Sequence, residues 1–111
     1  MPITVINGPT IAEGESLSDA CDLGGGKVVR ITTPWRWENN QLTFQISSNG
    51  TDWFDLWMFN EEVTLACGKS RGIVIMRDFP STAHMKIRAG SAAHPAIQPV
   101  SQEFAVAVET P

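Results

Sequence analysis

"QISSNGTDWFDLW", residues 45–57, is the stretch that decides the fold. Asn49 and Gly50 stand between two runs in which apolar and polar residues alternate. Asn-Gly in such a setting is the strongest short-range signal for a β-hairpin, because both residues tolerate the positive φ angles of a type I′ turn. We therefore predict a hairpin over residues 42–58, with Ser48, Asn49 and Gly50 in its turn.

Both arms of this predicted hairpin carry apolar residues at every second position. Side chains alternate between the two faces of a strand, so these residues are expected to share the core side. They are Leu42, Phe44 and Ile46 on the first arm and Phe54, Leu56 and Met58 on the second. In this arrangement Trp57 and Phe59 face outward together.

Short apolar stretches bounded by Gly, Pro, Asn and Ser recur along the whole chain. In residues 84–90 and again in residues 104–108 apolar side chains alternate strictly, whereas no stretch shows a sustained helical period. About eight strands with frequent turn signals predict an all-β fold, an antiparallel β-sandwich of jelly-roll or Greek-key type. We expect one domain over residues 1–111, with residues 1–12 able to extend as an N-terminal arm.

The composition limits the function classes. The chain has 111 residues, a net charge of −4 and no strong basic cluster, which argues against a nucleic-acid partner. The start "MPITVINGPT" lacks the pattern of a secretory signal, and no apolar run approaches membrane-spanning length. We expect a protein that is made in the cytoplasm and has no membrane partner.

Cys21 and Cys67 are isolated in the sequence and lack the spacing of zinc or redox sites. Two states are open for them. They are either free thiols packed as small hydrophobic residues, or they form a disulfide after release into an oxidising medium.

Surplus aromatic and apolar residues indicate a binding surface. Trp35 and Trp37 share a face if "TPWRW" is extended, and the N-terminal "PITVIN" is suited to add a strand to a neighbouring sheet. The alternative for the tryptophans is ordinary packing in the core or at its rim. The candidate partner interface is Trp35, Trp37, Trp57, Phe59, Ile3 and Val5.

We find no pattern of catalytic or metal-binding residues. His84 and His94 have no third ligand at a useful spacing. Asp52 and Asp55 are three positions apart on a strand and are predicted to face opposite sides. We therefore expect a non-enzymatic protein with no cofactor and no metal.

The order of segments resembles a group of small proteins encoded among the virion genes of tailed bacteriophages. The similarity extends over residues 17–108. It comprises an Ile-x-x-Pro-x-x-Trp segment, a Leu-Thr-Phe-Gln-x-Ser strand, an Asn-Gly turn and a late Lys-Ile-Arg-x-Gly strand. The matching residues are Ile31, Pro34, Trp37, Leu42, Thr43, Phe44, Gln45, Ser47, Asn49, Gly50, Leu56, Lys86, Ile87, Arg88 and Gly90.

The resemblance implies a structural part of a phage particle, such as a capsid decoration (cement) protein. Its partner would be the major capsid protein or another virion protein. Because capsids are symmetric, we expect self-association as a trimer or a dimer.

A second interpretation is a carbohydrate-binding or receptor-binding module of a head fibre or tail. The "SSNGTDW" turn is similar to the hairpin of galactose-binding-like (discoidin-type) sandwiches. In this case Trp35, Trp37 or Trp57 would stack on a glycan, and Asn49 or Asp52 would supply hydrogen bonds.

Overall fold

The computed structural model describes residues 3–37, 41–58, 60–66, 72–74 and 83–110. This part of the chain is all-β, as predicted. Its eleven strands are β1 (Ile3–Ile11), β2 (Cys21–Asp22), β3 (Lys27–Thr32), β4 (Gln41–Ser47), β5 (Phe54–Asp55), β6 (Trp57–Met58), β7 (Glu61–Glu62), β8 (Leu65–Ala66), β9 (Gly72–Val74), β10 (His84–Ala89) and β11 (Gln102–Glu109). Within these ranges there is no helix that is long and apolar enough to cross a membrane.

The strands pair in antiparallel fashion in three sheets. The first sheet has the strand order β1-β11-β3-β9, and the second has the order β2-β10-β4-β5, with β8 also pairing with β4. β6 and β7 form a small separate hairpin. Five of the eleven strands are two residues long, which is why their number exceeds the predicted one.

One hydrophobic core is shared by the first and second sheets. The second sheet contributes the alternating residues of β4 and β10, and the first sheet contributes those of β3 and β11. The fully buried members of these strands include Leu42, Phe44, Met85, Ile87, Val28, Ile31, Phe104, Val106 and Val108. The residues predicted to face the core in β10 and β11 are therefore confirmed as buried, whereas Arg88 and Ala107, which were predicted to lie on the opposite faces, are buried as well.

The second arm of the predicted hairpin is interrupted at Leu56. The backbone N–H of Leu56 donates to the carbonyl of Phe44 at 3.0 Å, and the Leu56 carbonyl accepts from Val63 at 2.9 Å. Leu56 is buried, as predicted. The chain then leaves the second sheet, so residues 53–58 form two short strands instead of one.

The prediction that Phe54 and Met58 are core residues is wrong. Phe54 pairs with Ile46 and lies on the apolar side of the second sheet, but its side chain is 66% exposed. It lies on β5, the terminal strand of the second sheet among the described residues. Met58 is 46% exposed because it belongs to the separate β6–β7 hairpin.

The N-terminal segment is a strand of the first sheet and not a detached arm. Residues 3–7 pair with residues 105–109 of β11, and a register shift follows between Asn7 and Thr10. Because β1 has a partner on one side, the predicted arm over residues 1–12 is corrected to an edge strand beginning at Ile3; residues 1 and 2 lie outside the described residues.

Gly90 fixes the loop that follows β10. Its φ angle is +84°, and a Cβ at this position would approach the His94 carbonyl oxygen to 2.4 Å. Both facts require glycine. The loop formed by residues 91–95 is thereby folded back toward the end of the strand, where Gly90 and Pro95 form a β-bridge.

Because Phe44 is buried and Phe54 is exposed, the same substitution should change the free energy of unfolding by very different amounts at the two positions. Phe44→Ala should lower the free energy of unfolding by about 3–5 kcal/mol, because it opens a cavity in the shared core. Phe54→Ala should change it by no more than about 0.5 kcal/mol, because the side chain is already exposed. Urea denaturation of both variants measures the difference; equal losses would contradict the assignment of Phe54 to the margin.

Candidate functional site

The loop between β4 and β5 is organised by the side chains of Ser47 and Asn49. The Asn49 Oδ1 atom accepts hydrogen bonds from the backbone N–H groups of Thr51 and Asp52 at 2.8 and 2.9 Å. Ser47 Oγ accepts from the N–H of Gly50 at 2.8 Å, and Gly50 has a φ angle of +79°. The loop is longer than the two-residue turn that the sequence predicted, because strand pairing resumes only at Phe54.

The hairpin loop therefore contains Ser48, Asn49 and Gly50, as expected. The hydrogen bonds of Asn49 and Gly50 are made within the loop and to its neighbour Ser47. Asn49 also donates from Nδ2 to Asp52 Oδ2 at 2.9 Å. Asn49 Nδ2 and Asp52 Oδ2 are therefore hydrogen-bonded to each other. The arrangement is typical of side chains that replace backbone hydrogen bonds in turns.

Trp35 and Trp37 do not share a face in the structure. Trp35 is 67% exposed, and the Arg36 guanidinium lies 4.6 Å from the centre of its ring. Trp37 is 1% exposed and contacts Phe104 edge to face, with 5.3 Å between the ring centres. The N–H of Trp37 donates to the Pro34 carbonyl at 3.1 Å.

The prediction that Trp37 is an interface residue is therefore wrong. It assumed an extended "TPWRW" segment, in which residues two apart share a face. The segment instead turns at Pro34, and the turn directs Trp37 into the core. Trp37 is therefore unavailable to a partner or a glycan.

The other predicted interface residues occupy two separate surfaces. Ile3 and Val5 are 58% and 56% exposed on the edge strand β1. Trp57 is 55% exposed on β6. Phe59, which was predicted to accompany Trp57, lies outside the described residues.

A cluster of three charged side chains and one threonine lies on the outward face of the second sheet. It consists of Arg88, Asp55, Glu62 and Thr43, and we call it the arginine cluster. Arg88 forms an ion pair through Nη2 with Asp55 Oδ1 and a second one through Nη1 with Glu62 Oε2 at 3.0 Å. Thr43 Oγ1 accepts from Arg88 Nη1 at 3.4 Å.

The arginine cluster joins parts of the chain that are distant in sequence. Glu62 belongs to the β6–β7 hairpin and also accepts from the backbone N–H of Ala92 through both carboxylate oxygens, at 3.2 and 3.3 Å. Thr43 Oγ1 donates to the Gly90 carbonyl at 2.9 Å. The cluster therefore holds the hairpin that carries Trp57 and the loop of residues 91–95 against the sheet.

Sequence reasoning missed this cluster. The alternation in β10 correctly places Arg88 on the polar face, which predicts a solvated side chain, yet Arg88 is 6% exposed. Its partners Asp55 and Glu62 lie thirty-three and twenty-six residues away in sequence. No short-range pattern links the three, because their contact depends on how the β6–β7 hairpin folds over the sheet.

The cluster also affects the acidity of Asp55. The hydrogen bond from Arg88 is the largest of the effects that lower the pKa of this carboxyl below its ordinary value, and a bond from Gln45 acts in the same direction. Burial is the second-largest effect and acts in the opposite direction, but the pKa remains lowered. Asp55 is therefore ionised and paired at neutral pH.

Next to the arginine cluster lies a row of three polar side chains, which we call the polar row. Lys86 of β10 is opposite Gln45 of β4, and Gln45 is opposite Asp55 of β5. Gln45 Nε2 donates to Asp55 Oδ1 at 3.3 Å. Trp53 covers one end of the row, with the Lys86 ammonium 4.4 Å from the centre of its ring.

Trp53 is the one tryptophan that sequence reasoning left without a role. It is half-buried and also contacts His84 edge to face, with 6.5 Å between the ring centres. Its position at the end of the hairpin loop, next to an alternating basic strand, was the available signal. The structure thus groups an aromatic ring with charged and amide side chains on the outward face of the second sheet.

Within the described residues, no group of three or more His, Cys, Asp or Glu side chains could hold a metal ion. Cys21 is a free thiol buried in the core, and burial is the main cause that raises its pKa. Cys67 lies outside the described residues, and the alternative of a disulfide that forms in an oxidising medium stays a prediction.

Comparison with protein-family models, curated proteins and solved structures gives no match. The function is therefore inferred from the chain's own residues.

The pKa of Asp55 predicts how stability depends on pH. A carboxyl whose pKa is lower in the folded state stabilises that state above the pKa of the unfolded chain, and this contribution is lost as the pH falls through the folded value. At pH 7 the wild type should exceed Asp55→Asn by about 1 kcal/mol in unfolding free energy, the upper end for a partly exposed ion pair.

The difference between the two proteins should shrink below about pH 4, where the carboxyl of the unfolded chain becomes protonated. Urea denaturation at several pH values measures it. A difference that stays constant down to the acid limit would show that the negative charge of Asp55 does not contribute.

The burial of Cys21 predicts low reactivity. In a Cys67→Ser variant the remaining thiol should fail to react with Ellman's reagent while the protein is folded and should react completely in urea, because the thiolate is the reactive form and burial disfavours it. Absorbance at the wavelength of the released thiolate follows the reaction. Rapid reaction of the folded variant would contradict the assigned burial.

Proposed function

We propose that this chain is a non-enzymatic structural protein of a tailed-bacteriophage virion. In this proposal it is a capsid decoration (cement) protein that is made in the host cytoplasm, binds the outside of the head and stabilises it. Its partner is the major capsid protein or another virion protein. The support from sequence is the resemblance over residues 17–108.

We also propose that the first and second sheets are the two layers of a single antiparallel β-sandwich of jelly-roll or Greek-key type. The support is the single core that side chains of both sheets share. A layered fold of this kind leaves edge strands and outward faces free for contacts with neighbours.

The observation that carries the functional proposal is the edge position of β1. Among the described residues β1 is the terminal strand of the first sheet, and its residues 3–7, Ile-Thr-Val-Ile-Asn, carry no charge. Sheet edges are commonly protected by charged residues, so an uncharged edge with exposed Ile3 and Val5 is suited to pairing with a strand of another protein. Backbone hydrogen bonds and apolar burial would then act together.

A second contact surface is available on the β6–β7 hairpin. Trp57 and Met58 of β6 are both exposed, and the arginine cluster fixes the hairpin that carries them. A large aromatic side chain on a rigid support is the usual anchor of a protein interface. Attachment through both surfaces is compatible with a trimer or a dimer on a symmetric shell.

Quantitative mass spectrometry of gradient-purified particles tests the proposal. We expect a ratio of this chain to the major capsid subunit near one or a simple fraction such as one third. A handful of copies per particle would favour a head-fibre, neck or tail position instead. Absence from the particles would overturn the virion proposal.

Trp57→Ala makes the test specific for the contact surface. The variant should fold normally and bind particles about 30-fold more weakly, the effect of removing an interface anchor worth about 2 kcal/mol. Ile97→Ala is the matched control, because Ile97 is 70% exposed but belongs to neither proposed surface. Equal loading of wild type and Trp57→Ala at limiting concentration would exclude Trp57 as a contact.

A further inference from the structure

The outward face of the second sheet has the properties of a binding site for an uncharged sugar. We propose that Trp53 and the polar row of Lys86, Gln45 and Asp55 bind a pyranose ring of a neutral polysaccharide. Its residues differ from those of the β1 edge and of the Trp57 surface, and it does not depend on the proposed virion function.

The first argument is the combination of groups. A pyranose has apolar C–H faces and a rim of hydroxyl groups, so a site for it needs an aromatic surface flanked by donors and acceptors. Trp53 supplies the aromatic surface. The polar row supplies an ammonium, an amide and a carboxylate in line across three neighbouring strands.

The second argument is the state of these polar atoms. Asp55 Oδ1 is occupied by Arg88 and Gln45, whereas Asp55 Oδ2 and Gln45 Oε1 accept no hydrogen bond within the described part of the chain. Lys86 forms no ion pair there, and its contact is with the ring of Trp53. Two acceptors and one ammonium donor are thus left for hydroxyl groups, on half-buried side chains.

The third argument is charge. The arginine cluster and the polar row together contain four charged side chains, and the two cations Lys86 and Arg88 balance the two carboxylates of Asp55 and Glu62. An anionic or a cationic ligand bound there would meet like charges as well as opposite ones. The formal balance therefore favours an uncharged ligand over an acidic polysaccharide.

The site is also partly preorganised. Asp55 is held in place by Arg88, and Arg88 is fixed by Glu62, so the carboxylate needs little ordering when a ligand binds. Lys86 is the movable part. A cation–π contact at an exposed site is weak, so the ammonium can leave the ring of Trp53 and donate to a hydroxyl when a sugar takes its place.

Native affinity electrophoresis tests the inference. The full chain is run in gels that contain dextran, arabinogalactan or mannan as neutral polysaccharides, and alginate as an acidic one. We expect retardation by at least one neutral polysaccharide, accompanied by a shift in tryptophan emission when the same polysaccharide is titrated in solution. Unchanged migration in all three neutral gels, or retardation by alginate alone, would overturn the proposal.

Substitutions locate the site. Trp53→Ala should weaken binding about tenfold or more, because it removes the aromatic surface, and Lys86→Met should weaken it about fivefold through loss of one donor. Trp35→Ala is the matched control, since Trp35 is an exposed tryptophan that also has a cation over its ring but lies in a different turn.

Urea denaturation of each variant shows whether it is folded under the binding conditions. Retained binding by a folded Trp53→Ala protein, or loss of binding in Trp35→Ala, would place the site elsewhere and overturn the assignment. If Trp53→Ala does not fold, Lys86→Met and the Trp35→Ala control decide, because neither side chain is part of the core.

Discussion

The apolar contact between the inner faces of the first and second sheets is the interaction on which the rest of the structure depends. Phe44 and Ile87 on one side, and Phe104 and Val106 on the other, are completely or almost completely removed from water. Burial of such side chains is the main favourable term in folding. Because strands alternate, the same contact sends every second side chain of β4 and β10 to the opposite face, and that face holds the polar groups of the candidate site.

The arginine cluster shows how this outward face acquires structure of its own. Arg88 is as buried as a core residue, although it lies on the polar side of the sheet. An arginine in this position is tolerated because two carboxylates and a hydroxyl satisfy its guanidinium. The result is a second, polar layer that fixes the β6–β7 hairpin and leaves the neighbouring row of Lys86, Gln45 and Asp55 open.

The sequence predicts where the strands lie better than it predicts which of their side chains are buried. Alternation correctly places Met85 and Ile87 in the core, because strand periodicity is a local property. Phe54 follows the same rule and still lies in solvent, since burial also requires a facing side chain at that end of the sheet. For Arg88 the rule fails in the opposite way. It predicts an exposed side chain, but Glu62, twenty-six residues away in sequence, helps to bury it. Both depend on long-range packing that no window of residues contains.

The pairing of β1 with β11 has a consequence for how the domain can be joined to other proteins. Ile3 lies opposite Glu109, so the polypeptide enters and leaves the first sheet at the same corner. Segments fused before β1 and after β11 would emerge side by side, at the spacing of two neighbouring strands. The domain is therefore suited to insertion into a surface loop of a carrier protein, from which it would project on a double-stranded stem with its opposite end available for display.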